Sequence, residues 1–422
     1  MQKTLDIFTR YGLRRIINAS GTETTKGASP VCPEVIEAAA ALVGHSVDMA
    51  ELQSVACHTI ADAFGTQAGC VVHCTAAGIA IAVAACMTGA NLARVERLPD
   101  TSGMKNEVLL QRGHDVSYGA GVTQNVAVTG AKVVAIGSAN ECGVYQLAEA
   151  ITPQTAAALY VVSHHTVGSG LIDLAAFCRT CRAAGVPVIV DAAAEPDPRL
   201  FLEAGADLVI VSMHKSFAGL TGGIIAGPLA LVRACLYQEK GIGRPMKVGK
   251  EGVIGAIAAI ERWASLDRAS LARALDERLA KARQRLELLD GLTASIEPDA
   301  TSNAFARLHL HVDPAQAGLT AHQLAQALWS QTPAIAVRAL QADLGILQID
   351  LRRADAETVE HIVKSIEKLV GAARSSRRSS APIKGGRGKA SLPPPSPNLA
   401  DLTADALERW PLSMRRADKH AG

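Results

Sequence analysis

The sequence predicts an α/β fold: a large domain on a doubly wound, mostly parallel sheet, then a smaller C-terminal α/β domain. Three observations carry this. Short apolar runs alternate with helical patterns from residue 107 to 226, the order that generates parallel strands joined by crossover helices. Ala, Val, Ile, Leu and Gly are abundant and aromatic residues only 3%, which suits helices packed against a sheet buried on both faces. At 422 residues the chain can bury a large core and reads as two domains.

Residues 1–45 read as an N-terminal arm with one helix, Pro33 in its first turn and Glu34 to Leu42 continuing it. The large domain is placed at 46–245. It opens with a helix over 48–64 and a short strand at Val71-Val72. Thr75-Ala76-Ala77-Gly78 then leads into an apolar helix over 76–87, which is too short to span a bilayer and reads as buried. Strands are expected at Val108–Gln111, Lys132–Ile136, Ala158–Val162, Val186–Val190, Leu208–Val211 and Gly223–Ala226, with helices such as 173–184 and 196–204 between them. The small domain, 246–371, starts with a long charged helix over 250–289. Strands near 304–312, 335–339 and 346–351 then alternate with helices 320–331 and 355–370.

Residues 372–422 read as a disordered tail. Arg374, Arg377, Arg378, Lys384, Arg387 and Lys389 stand among no acids, and Pro393-Pro394-Pro395 and Pro397 follow. A short helix over 398–410 is expected within it. The tail is either a solubilising segment or a docking peptide.

A net charge of +2 gives no bulk electrostatic case for a nucleic-acid partner. Nine cysteines, odd in number and without a paired framework, point to a reducing cytoplasm. The single CxxC, Cys178-Arg179-Thr180-Cys181, lies on an expected helix with no second pair, so it reads as helix packing and no metal is expected. The residues after Met1 form no secretory apolar region, and a membrane partner is not expected.

The chemistry concentrates in two segments. Val188-Ile189-Val190-Asp191 and Val209-Ile210-Val211-Ser212-Met213-His214-Lys215 are apolar runs that each end in polar groups. Ligands of α/β sheets bind at strand ends. A lysine and an aspartate placed there suit pyridoxal 5'-phosphate (PLP): Lys215 would hold its aldehyde as a Schiff base, and Asp191 would keep its pyridine nitrogen protonated. Taken singly, an Asp such as Asp191 is more often a cap or turn residue, and a lysine such as Lys215 is usually a solvated loop residue. Ser212, His214 and the turn Gly219-Leu220-Thr221-Gly222-Gly223 strengthen the pair.

Other candidates surround it. Thr75, Ala76 and Ala77 open a helix, where backbone N–H groups can meet a phosphate, although Thr75 is also an ordinary N-cap candidate. Ser212 could add a hydroxyl. His114, at the end of a strand, could stack on the pyridine or be a satisfied polar residue. His164-His165 could bond the phenolic oxygen of the cofactor or a substrate oxygen. Arg338 and Arg352 suit carboxylate or phosphate recognition, or pair with local acids such as Asp343, Asp350 or Asp355.

Several segments together resemble the fold-type I PLP enzymes, in the branch of the bacterial L-seryl-tRNA(Sec) selenium transferase and D-glucosaminate-6-phosphate ammonia-lyase. They are Ile16-Ile17-Asn18-Ala19-Ser20-Gly21-Thr22, Arg112-Gly113-His114, Gly130-Ala131-Lys132 through Asn140, Ser212 to Gly223, Arg244 to Glu251, and Ile349-Asp350-Leu351-Arg352. The likeness covers residues 14–370. It implies a PLP transferase fold, an active site shared in a homodimer or larger oligomer, Gly222 in the cofactor segment, and Asn18, Ser20 and Thr22 in a substrate loop. The selenium transferase carries an extra N-terminal tRNA-binding domain, for which residues 1–14 leave no room, so the lyases are the expected nearer relatives.

The reaction expected is α,β-elimination of water from a 2-amino-3-hydroxy acid, then release of ammonia from the enamine to give a 2-keto-3-deoxy acid, an amino sugar acid such as D-glucosaminate or its phosphate being one example. The freed Lys215 would act as general base. Selenium or sulfur transfer, aldolase or racemase chemistry, and an inactive PLP-binding regulator are the alternatives.

Overall fold

The computed structural model describes residues 6–379 except 167, 300, 302 and 304. The expected helix at 398–410 and most of the tail lie outside the described residues. The chain forms two compact units. One comprises residues up to 20, 278–296 and from 308 onward; the other comprises 21–277 and 297–307.

The strands in chain order are β1 (Ile16–Ala19), β2 (Ala68–Val72), β3 (Glu107–Gln111), β4 (Lys132–Ile136), β5 (Thr155–Val161), β6 (Val188–Asp191), β7 (Leu208–Ser212), β8 (Gly223–Gly227), β9 (Leu292–Pro298), β10 (Ala306–Val312), β11 (Ala334–Gln341) and β12 (Ile346–Ile349). The larger unit holds a seven-stranded sheet in the order β2-β8-β7-β6-β5-β3-β4. The run from β4 to β7 is parallel. β8 is antiparallel to both β7 and β2.

Successive residues of the central strands point to opposite faces and build two separate cores. Val188, Val190, Val209 and Val211 pack in one layer with Val35, Ile60, Phe177 and Ile260. Ile189, Leu208 and Ile210 pack in the other, with Ile79, Val83 and Val126. The long apolar helix, Thr75–Thr88, belongs to the second layer, and nearly all of it is buried. Gly78 lets it approach the sheet: a Cβ there would lie 2.8 Å from Ile210 Cγ2. Edge strand β2 is covered by a side chain. Gln53 accepts from the Val71 N–H at 3.2 Å and donates to its C=O at 2.9 Å, completing the pairing that an edge leaves open.

In the smaller unit the sheet order is β1-β11-β12-β10-β9. β1 pairs in parallel with β11, Ile16 opposite Ala334. The helix Ala356–Ser379 buries Ile362, Val363, Ile366 and Val370.

Four expectations are corrected. The N-terminal arm is divided: β1 joins the small sheet, whereas the helix Pro33–Val43 packs in the larger unit, as does Lys250–Ser265. The helix expected over 250–289 is two helices, Lys250–Ser265 and Arg268–Leu286. Leu266 turns extended, and Asp267 then accepts from the Ser270 N–H at 3.0 Å as a cap. Residues 246–277 therefore group with the larger unit rather than opening the small domain. The last helix runs to Ser379, past the expected tail boundary at 372.

Gly78→Ala would gain about 1 kcal/mol of helix propensity and lose about 1–3 kcal/mol to overpacking against Ile210. Net destabilisation is expected by urea unfolding. In the background of Ile210→Ala, which alone costs about 2–5 kcal/mol, the same change should become neutral or stabilising. A loss of equal size in both backgrounds would refute this packing.

Candidate active site

The parallel strands end together along one edge of the large sheet. β4 and β5 flank β3 on opposite sides, so the direction of chain progression reverses there. Such a reversal opens a crevice at the strand ends, where ligands of α/β proteins bind. A cleft of about 390 Å³ lies at this point, lined by His114, Tyr160, Ser163, Thr166, Ser169 and Asp173 among others.

Asp191 is the last residue of β6 and pairs with Ile210 of β7. It is 5% exposed, and its Oδ1 is buried with no hydrogen-bond partner among the described residues. Burial pushes its pKa up to about 6, against the opposing pull of Lys215 and a backbone hydrogen bond from Ala193. Lys215 stands in the turn after β7. Burial lowers its pKa, while Asp191 and then Glu195 raise it. The two residues singled out in the sequence therefore feel each other's charge.

Ser212 ends β7 and is 1% exposed, with its Oγ 3.4 Å from His214 Nδ1. His214 Nε2 is buried without a partner among the described residues. Its pKa is lowered by burial first and by Lys215 second. Thr75 and Ala76 are the first helical residues, and Cys74 rather than Thr75 is the cap, its Sγ accepting from the Ala77 N–H at 3.5 Å. Gly222 accepts the Met213 N–H at 2.9 Å and so closes the lysine turn. Its neighbour Gly223 makes the close approach to the helix start, since a Cβ there would lie 2.7 Å from the Cys74 carbonyl carbon and 3.0 Å from Thr75 N.

His114 is 3% exposed, and its Nδ1 accepts the Val161 N–H at 3.2 Å. The ring is thus held neutral with its proton on Nε2, edge-on to Tyr160 at 4.4 Å between centroids. His164 and His165 follow β5, their rings 4.0 Å apart; His165 is exposed and donates its N–H to Ser163 Oγ.

The remaining candidates divide between the units. In the smaller unit, Asn18 Oδ1 accepts from Ser20 N–H at 3.1 Å and Oγ–H at 2.8 Å, and Arg338 Nε donates to the Ser20 carbonyl at 3.2 Å. Arg352 lies against Asp350 at 2.6–3.0 Å, one of the local pairings that its sequence left open. Thr22 belongs to the larger unit.

Two groups escaped the sequence reading. Glu195, 3% exposed, is held by Thr301 at 3.1 Å and by Asn303. It stands four residues after Asp191, and that spacing was its only signal. Tyr118 accepts from Asn125 Nδ2 at 2.6 Å, and its pKa is raised by burial and then by Asp191. Nothing in its sequence context marks it. Cys178 and Cys181 are buried in the core, where burial pushes their thiols up to about 11 and 12.

A strand-end acid beside a lysine in the turn after the next parallel strand is the arrangement a PLP enzyme of the transferase fold requires. No family model matches the chain. It is 37% identical to D-glucosaminate-6-phosphate ammonia lyase of Salmonella typhimurium over 87% of this chain and 98% of the relative. It is 38% identical to 5'-C-glycyluridine monooxygenase-decarboxylase of a Streptomyces species over 86% and 92%. L-seryl-tRNA(Sec) selenium transferase of Solidesulfovibrio magneticus is 27% identical over 66% and 63%. A solved D-glucosaminate-6-phosphate ammonia-lyase superimposes with a TM-score of 0.79, at 36% identity over 88% of this chain and 99% of that one. The chain belongs to the ammonia-lyase and selenium-transferase branch of the fold-type I PLP enzymes.

The residues present fit that cofactor. The orphaned Asp191 Oδ1 calls for a donor, which a protonated pyridine nitrogen is. The orphaned His214 Nε2 and the helix start at Thr75 suit an anionic phosphate.

The His114 pKa is depressed to about 4 by burial, against about 6.5 in an unfolded chain. Above pH 6.5 the ring is neutral in both states and contributes nothing. As pH falls toward 4 only the unfolded chain gains a proton, and stability worth about 3 kcal/mol is lost. Asp191 acts oppositely in part of that window, so the test compares the cofactor-free chain with His114→Asn. The variant should lose less stability on acidification, and the parent His114 should titrate near pH 4 by NMR.

Proposed function

We propose that the chain eliminates water from a 2-amino-3-hydroxy acid with a sugar-derived body, and that hydrolysis of the resulting enamine, through its imine, releases ammonia and gives a 2-keto-3-deoxy acid. The observation that carries this is the pair formed by Asp191 at the end of β6 and Lys215 in the turn after β7, in a chain 37% identical to a D-glucosaminate-6-phosphate ammonia lyase.

Bound PLP supplies an aldehyde that joins to amines and a ring that accepts electrons from the substrate α-carbon. Lys215 would hold the aldehyde. Thr75, Ala76, Ala77, Ser212 and His214 would hold the phosphate, and Gly222 the turn that presents them. Asp191 would accept a hydrogen bond from the ring nitrogen and keep the proton on it. His114, neutral and fixed in one tautomer by the Val161 N–H, would offer a flat face to the ring, and His165 would offer a donor to an oxygen. Lys215 Nζ, whose burial favours the neutral amine, takes the proton from the substrate α-carbon. That proton can then accompany the departing 3-hydroxyl as water. Asn18, Ser20, Thr22, Arg338 and Arg352 are proposed for the substrate carboxylate and hydroxyls.

A second reading rests on one observation. The Streptomyces relative is as similar as the lyase, yet its name describes oxygen insertion and decarboxylation. Both names denote an amino-acid head on a sugar-derived body, so the head chemistry is the question.

We also propose a homodimer or larger assembly in the cytoplasm. Ile36, Val43 and Val55, at 53%, 52% and 53% exposure on two neighbouring helices, support a covered face. Among the described residues no helix is long and apolar enough to cross a membrane.

The holoenzyme is given D-glucosaminate, its 6-phosphate and other 2-amino-3-hydroxy acids while visible absorbance, ammonia, keto acid, oxygen and carbon dioxide are followed. Ammonia and keto acid formed without oxygen uptake support the lyase; oxygen uptake with carbon dioxide release supports the second reading. Lys215→Ala should abolish the cofactor's visible band and lower turnover at least about 1000-fold. Asp191→Asn should retain the band but lose most turnover. Near-normal rates in Lys215→Ala would end the assignment.

A further inference from the structure

The turn that carries Lys215 is gripped by a segment nearly two hundred residues earlier in the chain. Ser29, 5% exposed, donates its Oγ–H to the Lys215 carbonyl at 2.8 Å and its N–H to the His214 carbonyl at 3.1 Å. The Cys32 N–H takes the Ala218 carbonyl at 3.0 Å. Three carbonyls of the lysine turn are thereby fixed from one side. On the other side, Ser216 Oγ–H donates to the Ala194 carbonyl at 2.6 Å and ties the turn to the loop that follows Asp191.

The backbone on both sides of this grip is strained. Ala28, at φ 56°, and Ala218, at φ 53°, are the only non-glycine residues with positive φ among those described. A Cβ disfavours this left-handed region, and such conformations persist only where the surroundings over-determine them. Here one outlier directly precedes Ser29 and the other supplies the carbonyl taken by Cys32. Two strained residues, one on each segment of the grip, mark a place where geometry is held against local preference.

We propose that Ser29 is a positioning residue for Lys215: its hydroxyl and amide set the two peptide planes that flank the lysine, and so aim the amine at the end of its flexible stem. The proposal rests on the assignment of Lys215 as the cofactor lysine. The lysine stem is flexible, with its charge at the tip, so a small rotation of either peptide plane moves Nζ by more than it moves Cα. A well-placed reacting group misplaced by an ångström costs about 100-fold in rate.

The test compares full-length holoenzymes carrying Ser29→Thr and Ser29→Val, side chains of nearly equal shape that differ in the hydroxyl. Three quantities are measured: kcat per bound cofactor, KM, and the pH midpoint of the visible band of the lysine-bound cofactor. Ser29→Val is expected to lower kcat about 10- to 100-fold with little change in KM, and to displace the midpoint. Ser29→Thr should return both toward the parent. If the branched side chains are not accommodated, Ser29→Ala against the parent gives the same readings.

A merely structural role would lower the melting temperature and the fraction of chain that binds cofactor. It would leave kcat per bound cofactor and the midpoint unchanged, and that result overturns the proposal. A parent chain that forms no visible band with PLP would remove the Lys215 assignment and this inference with it. A normal band with indifferent Ser29 variants removes only the inference.

Discussion

The register of β6 between β5 and β7 is the constraint on which the site depends. Val161 lies opposite Asp191, and Asp191 opposite Ile210. Each central strand is apolar on both faces, and its alternate residues enter two different cores. A slip of one residue would move every side chain of β6 into the wrong layer. The hydrophobic pattern that builds the sheet is thus the same pattern that delivers the carboxylate to the face of the helix Thr75–Thr88. Fold and site are specified together.

That arrangement leaves polar groups unsatisfied inside an otherwise well-packed unit. Asp191 Oδ1 and His214 Nε2 are both buried without partners among the described residues, and each such group costs about 1–3 kcal/mol. A ligand that supplies a donor to one group and an acceptor to the other removes both costs, so cofactor binding and folding stability are linked.

The parts legible in the sequence were those with local causes. Apolar runs marked β3 and β5 to β8 because a strand buried on both faces needs an unbroken one. Edge strand β4 was marked by its short Val133–Ile136 run although it is largely half-buried or exposed. The polar residues that end β6 and β7 named the acid–amine pair. What escaped was non-local. β1 has a composition that fits a loop as well as a strand, and only its pairing with β11 decides between them. The break between the helices Lys250–Ser265 and Arg268–Leu286 hung on one cap at Asp267 inside a continuous charged pattern. Ser29 carries no mark at all, since its contacts lie across the chain. Arg352 illustrates the opposite case: two residue types that suited a ligand equally suited each other, and Asp350 lay closest.

The path of the chain between the two units has a consequence for how this protein can be rearranged. The backbone passes from one to the other after residues 20, 277, 296 and 307. The short return segment, 297–307, contributes Thr301 and Asn303 to the grip on Glu195, four residues from Asp191. The smaller unit is therefore no cassette. Shuffling it between homologues as a single C-terminal block would also replace the residues that hold Glu195. Chimeras that keep the site intact need several crossover points, so the two units are expected to have diversified as one inherited whole.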